Sequence, residues 1–572
     1  MKTRRAVHAC GLALALVALA ACMNAPPADR ILINGHIWTG WEEHPEVQAI
    51  ALRGGRIVAV GDDADIRALA GPSTRIDDLG GKHVVPGFID SHTHFIEGGR
   101  YLQGIDLRDA RSEREMTSRL GRHASRLPPG RWIQNGNWDH ERWNPVRLPS
   151  KHSIDRFTPD HPVSVSRLDG HMVLVNSLAL SLAGIRRDTP DPPGGRIDRD
   201  ASGEPTGILR DTAIDLLAAV IPALTPDEMD EALVAALSHA ASLGVTSIHD
   251  NSSFADLETF RRARAQGALT LRVYARTPLN EWKRHLDEIR RHGRGDEWLH
   301  LGGLKGFMDG SLGSHTAYFF EPYNDEPQTV GLLREDLFPV DRMSSQIRNA
   351  NAAGLQVTVH AIGDRANSML LDMFEEAESA AGSQPHRLRI EHAQHLRASD
   401  IRRLASQGVI ASMQPAHIVD DGSWAEKRIG PERCRTTYAF RSLLDSGVRL
   451  AFGSDWPVAS LDPVWGVYSA VTRRTIDGRN PAGWIAEEKI SAEEALTAYT
   501  RDAAFAEFEE HRKGILRPGY LADLVVLSRN ILAISPEEIP QVRVELTLVG
   551  GSTVFSSPSW NSARQDTVAA PR

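Results

Sequence analysis

The sequence predicts an α/β fold: a (β/α)8 TIM barrel with a small composite β-sandwich domain drawn from both termini and a large insertion after barrel strand 1. Short apolar runs recur through the middle of the chain, and several end on a side chain with metal-binding chemistry. Helical patterns fill most gaps between them, and brief strand-like pieces with hairpin signals stand at both ends. A polar side chain at the carboxyl end of strand after strand is how such a barrel builds a site.

Eight runs are assigned as barrel strands: Val84–Ser91, Val245–His249, Leu271–Ala275, Leu304–Met308, Gln356–His360, Leu388–His392, Val409–Met413 and Val448–Gly453. Thr225, with Glu228 three residues on, caps a predicted helix from Pro226 to Leu243, and Ser491 with Glu494 opens another the same way. Barrel strands 1 and 2 stand far further apart than one helix needs. We therefore expect residues 98–225, rich in Arg, Pro, Gly and Trp, to form a subdomain over the barrel mouth and supply substrate contacts. Outside the barrel (84–513), runs flanking Gly54-Gly55 and Gly550-Gly551 read as hairpins. They assign 23–83 and 514–556 to one β-domain, followed by a disordered tail over 557–572.

The 572 residues are 41% hydrophobic and 24% charged with a net charge of −9, an ordinary globular balance without the footprint of a nucleic-acid binder. Residues 1–22 stand apart from the fold. Lys2, Arg4 and Arg5 precede an apolar stretch from Gly11 to Leu19, and Leu19-Ala20-Ala21-Cys22 resembles a bacterial lipobox. We expect lipidation at Cys22, an N-terminal membrane anchor and an outer-membrane location facing the periplasm; an ordinary signal peptide and a single membrane anchor are the alternatives. Thr3-Arg4-Arg5-Ala6-Val7 faintly resembles a twin-arginine signal. With Cys10 removed and Cys22 lipidated, Cys434 has no disulfide partner.

His92-Thr93-His94 ends strand 1, and strand alternation turns both imidazoles to one side. Alone such a pair is weak, but Lys305, His360, His392 and Asp455 recur at later strand ends. Imidazole and carboxylate groups are the usual ligands of hydrolytic zinc and related divalent ions. Lys305 is ambiguous because an ammonium has no lone pair. Carboxylated by carbon dioxide it could bridge two ions; otherwise it pairs with Asp309 or a substrate carboxylate.

Pro86-Gly87-Phe88-Ile89-Asp90-Ser91-His92-Thr93-His94, Asp309-Gly310-Ser311-Leu312-Gly313-Ser314, His360-Ala361-Ile362-Gly363-Asp364, Arg389-Ile390-Glu391-His392-Ala393 and Gly453-Ser454-Asp455-Trp456-Pro457 together resemble the amidohydrolase superfamily, and within it amidohydrolase family 3, the YtcJ-like branch. The match spans roughly residues 30–556. The resemblance implies His92 and His94 as first-strand metal ligands, His360 and His392 as those of strands 5 and 6, and Lys305 as a bridging carboxylated lysine. It makes Asp455 both ligand and proton shuttle. It implies one or two divalent ions, zinc first, with iron and manganese open, and a pairing of two copies. The activity implied is hydrolysis of a non-peptide C–N bond in a small molecule: an amide, formamide, carbamate or cyclic amide. Deamination, or ester or lactone hydrolysis, at the same site is the alternative. A non-catalytic binding lipoprotein is a remote third, since no ligand is missing.

His249, Asp309, Gln414 and His171 are further candidates for substrate contact, with a structural hydrogen-bond pair the equal alternative for Asp169 and His171. His315 stands where this branch leads us to expect arginine. Trp132, Trp138 and Trp143 read as a small core in the insertion rather than a binding box.

Overall fold

The structure is a computed structural model and describes residues 26–334, 340–381 and 386–562. Residues 1–22, with the expected export segment and lipidation site Cys22, lie outside the described residues.

Eight parallel strands form the central sheet: Phe88–Thr93, Val245–Asn251, Arg272–Pro278, Leu299–Phe307, Gln356–Ala361, Arg389–His392, Ile410–Met413 and Leu450–Phe452. Each pairs with the next, and a Thr93–Trp456 bridge closes the ring between strands 8 and 1. Nearly every strand residue is buried, as expected of parallel strands sheathed by helices. The helix from Pro226 to Ser242 begins on the Thr225–Glu228 capping box.

Two strands differ from expectation in ways that matter for the site. The apolar run from Val84 is not one barrel strand. His83–Pro86 pairs with Leu524–Leu527 in a second sheet, and the barrel strand starts at Phe88. The break falls at Gly87, where a Cβ would stand 2.2 Å from Thr246 Oγ1. Strand 2 runs on to Asn251, two residues past His249.

The terminal domain is two sheets. One holds Arg56–Gly61, Ala49–Arg53, Ala28–Ile33 and Ala70–Asp78; the other joins Ser552–Ser556, Val544–Val549, Leu524–Leu527, His83–Pro86, His36–Trp38 and Glu46–Val47. Both hairpin glycine pairs have positive φ at each residue, as a type I′ turn requires. The tail assignment is corrected at its start: residues 558–562 are helical, and Trp560 is buried in the sandwich core.

The insertion carries its own six-stranded sheet between Ile105 and Asp211. Trp138 and Trp143 pack in its core, ring centres 6.2 Å apart, and the partly buried Trp132 packs on a second apolar cluster.

Candidate metal centre

The carboxyl ends of the barrel strands open into a cavity of about 270 Å³, and His92, His94, Lys305, His360, His392 and Asp455 all line it. Barrel strands 1 and 8 supply its first group. His92 Nε2 and His94 Nε2 each stand 3.4 Å from Asp455 Oδ1. The main chain sets that meeting, because Asp455 N–H donates to the His92 carbonyl at 2.7 Å. Asp455 and His392 hold φ of +58° and +73°, a conformation that costs a non-glycine residue on the order of 1–3 kcal/mol and persists where the surroundings dictate it.

Beneath His92 lies a fully buried ionic network. Its Nδ1 meets Glu391 Oε2, and Glu391 is also held by Arg276 at 2.7 Å, Arg389 at 2.5 Å and Ser412 Oγ at 2.9 Å. Burial pushes the Glu391 carboxyl up, but the two guanidinium groups more than offset this and hold it well below the usual carboxylate range. The network fixes the ring, so His92 Nε2 faces the cavity. Gln414 does the same for His392, its Oε1 standing 2.8 Å from Nδ1. His360 is held through Nε2 by the Gly310 carbonyl at 3.1 Å. Lys305 Nζ sits 3.3 Å from His92 Nε2 and 4.3 Å from the Phe307 ring centre; burial brings it down to about 7.

Three of the four substrate candidates do not line this cavity, and their assignments are corrected. His249 is buried below it, with Nδ1 2.8 Å from Arg389 and Nε2 3.3 Å from Glu507. Asn251, on the same side of the extended strand and about 6.6 Å further up, is the strand 2 residue that reaches the strand 1 histidines. Its Nδ2 lies 2.8 Å from His92 Nε2 and 3.3 Å from His94 Nε2. Asp309 is consumed by main-chain donors, accepting from Ile362, Gly363 and Tyr318 at 2.8–3.0 Å. Gln414 orients His392. The fourth candidate, His171, does line the cavity, with Nδ1 2.6 Å from Asp211 Oδ1 and its ring centre 5.1 Å from that of His360. It rides on a turn of the insertion, and Asp169, which receives Arg167 at 2.6 Å, sits beside it. His315 lies off the cavity with Asp325 and Arg428.

Asn251, Glu391, Asp211 and His417 are site residues the sequence reading did not single out. Asn251 was open to it, because it continues the period of His249.

The amidohydrolase family profile matches residues 75–555. The chain belongs to the amidohydrolase family. Among relatives of this amidohydrolase, the Arabidopsis thaliana protein LONG AFTER FAR-RED 3 is 39% identical over 541 residues, covering 92% of each chain. The N-substituted formamide deformylase of Arthrobacter pascens is 28% identical over 542 residues, 91% of this chain and 97% of that one. A crystal structure of an uncharacterized metal-dependent hydrolase from Pyrococcus furiosus superposes with a TM-score of 0.68 at 31% identity, covering 89% of this chain and 99% of the other.

Proposed function

We propose that this amidohydrolase cleaves a non-peptide C–N bond of a small molecule (an amide, formamide, carbamate or cyclic amide) at a centre holding one or two divalent ions, zinc first. The observation that carries this is the convergence of His92 Nε2, His94 Nε2 and Asp455 Oδ1 on one cavity. The donor set fits such an ion. His92 and His392 are each hydrogen-bonded through Nδ1, which turns Nε2 toward the cavity, as in ligating histidines; at His92 a bound ion would displace the present contacts of Nε2 with Asn251 and Lys305. When bound, a divalent ion supplies a Lewis acid that acidifies water and polarises a carbonyl.

Asp455 Oδ1 accepts the proton of the attacking water and returns it to the leaving nitrogen. Burial raises its carboxyl, yet His92, His94 and His392 hold it well below the usual carboxylate range, so it stands ionised, the form an acceptor needs. His171, turned into the cavity from the insertion, contacts the substrate. A cavity of about 270 Å³ fits a small molecule, and the similarity to a formamide deformylase supports the C–N bond. Lys305 enters as a carboxylated ligand; its amine, brought down to about 7 by burial, is partly neutral at physiological pH, the form that reacts with carbon dioxide. We further propose lipid anchoring in the bacterial outer membrane through Cys22, on the strength of Leu19-Ala20-Ala21-Cys22. Among the described residues no helix is long and apolar enough to cross a membrane.

The test is a panel of N-formyl and N-acyl amines given to zinc-loaded protein. Equal amounts of amine and acid should appear, turnover should vanish on chelation, and it should return with added zinc. Hydrolysis of esters or lactones with no amide turned over would overturn the C–N assignment.

Gln414→Ala should weaken zinc binding about 10–100-fold with the fold intact, as loss of a ligand's hydrogen-bond partner does. Competition with a chromogenic chelator reads this directly, and unchanged affinity would remove Gln414 from that role.

A further inference from the structure

One histidine beside the centre is unused by the chemistry above. His417 opens the short helix His417–Asp421 just after barrel strand 7, and its N–H donates to the Gln414 carbonyl at 3.1 Å. The same turn therefore carries Gln414, which holds one face of His392, and His417, whose ring lies 6.3 Å from that of His392 and within 20° of parallel. His417 Nε2 is out of reach of solvent with no hydrogen-bond partner among the described residues. A buried polar atom left unpaired carries a desolvation cost, so such an atom calls for an explanation.

Its neighbours provide one. Ligand atoms of His392, His417 and Asp455 all lie within 4.8 Å of one another, as do those of His92, His94 and Asp455. We propose that His417 is a ligand of a second divalent-ion site formed with His392 and Asp455, with the Asp455 carboxylate shared between the two sites. Imidazole and carboxylate together suit zinc and its first-row neighbours. The assignment rests on the metal-hydrolase function proposed above and adds a ligand that neither the strand-end pattern nor the family resemblance supplied.

The full-length protein is equilibrated with buffered zinc and its zinc counted by mass spectrometry, with circular dichroism as the check on folding. Wild type should hold two zinc ions per chain and His417→Ala one. His417→Cys should hold two again, since thiolate is a zinc ligand. Two ions in His417→Ala at unchanged affinity would overturn the proposal, and so would a wild type that saturates at one. A wild type that binds none would instead sink the metal-hydrolase function itself. Should His417→Ala fail to fold, cobalt-loaded His417→Cys decides: a thiolate-to-cobalt absorption band is expected, and its absence overturns the assignment.

Discussion

Asp455→Asn is expected to lower kcat by about 10²–10⁴-fold, the range attributed to a positioned proton-transfer group. The substitution keeps the shape and one oxygen of the side chain but removes its capacity to accept a proton from water. It also leaves the backbone at ease. Residue 455 has φ of +58°, a conformation asparagine adopts more readily than most residues, so the protein should remain folded. Zinc content should fall as well, because Oδ1 stands 3.4 Å from both strand 1 histidines and the Asp455 carboxylate is common to both ligand groups. Kinetics at saturating zinc separate the two effects. A kcat within threefold of wild type would exclude Asp455 as the proton carrier.

Glu391→Ala should be the most destabilising single substitution at the site, by about 3–5 kcal/mol, the cost of removing one partner from a buried ion pair. Arg276 and Arg389 are both fully buried and both converge on this carboxylate. Without it, two guanidinium groups face one another in the barrel interior, and His92 loses the contact that sets its orientation. Denaturant titration with zinc removed isolates the folding term; a loss under 1 kcal/mol would show the network to be dispensable. The pH dependence has a definite sign. Glu391 is depressed in the folded state, so its contribution is complete above the ordinary glutamate pKa of about 4.3. It is lost only as pH falls through the lower, folded-state value. The variant and wild type should therefore converge in stability at strongly acid pH.

Much of the barrel was legible because its strands are short apolar runs ending in polar groups, a pattern that both burial and ligation impose. All six side chains expected to form the metal site line one cavity. What was misread turned on register and on donors invisible in one dimension. His249 was placed at the mouth because strand 2 was ended two residues early; with the strand running to Asn251, it drops a layer. Asp309 and Gln414 look free in the sequence, but main-chain amides saturate the first and a histidine engages the second. Glu391 stood in view within Arg389-Ile390-Glu391-His392, yet nothing local says that Arg276, over a hundred residues earlier, also reaches it. His417 follows a strand in a five-residue helix, too short to leave any periodicity.

The pairing of His83–Pro86 with Leu524–Leu527 has a consequence for how the chain is made. At a synthesis rate of about 5–20 residues per second, the later strand leaves the ribosome roughly 20–90 s after the earlier one. Throughout that interval Val84 and Val85 lack a neighbour they will need, although the barrel strand continuing from them can already begin to pair with strand 2. The contact that clasps the two chain ends is therefore among the last to become available. A nascent chain halted before Leu524 should expose an apolar strand edge for chaperones to bind, even where its metal-binding strands have met.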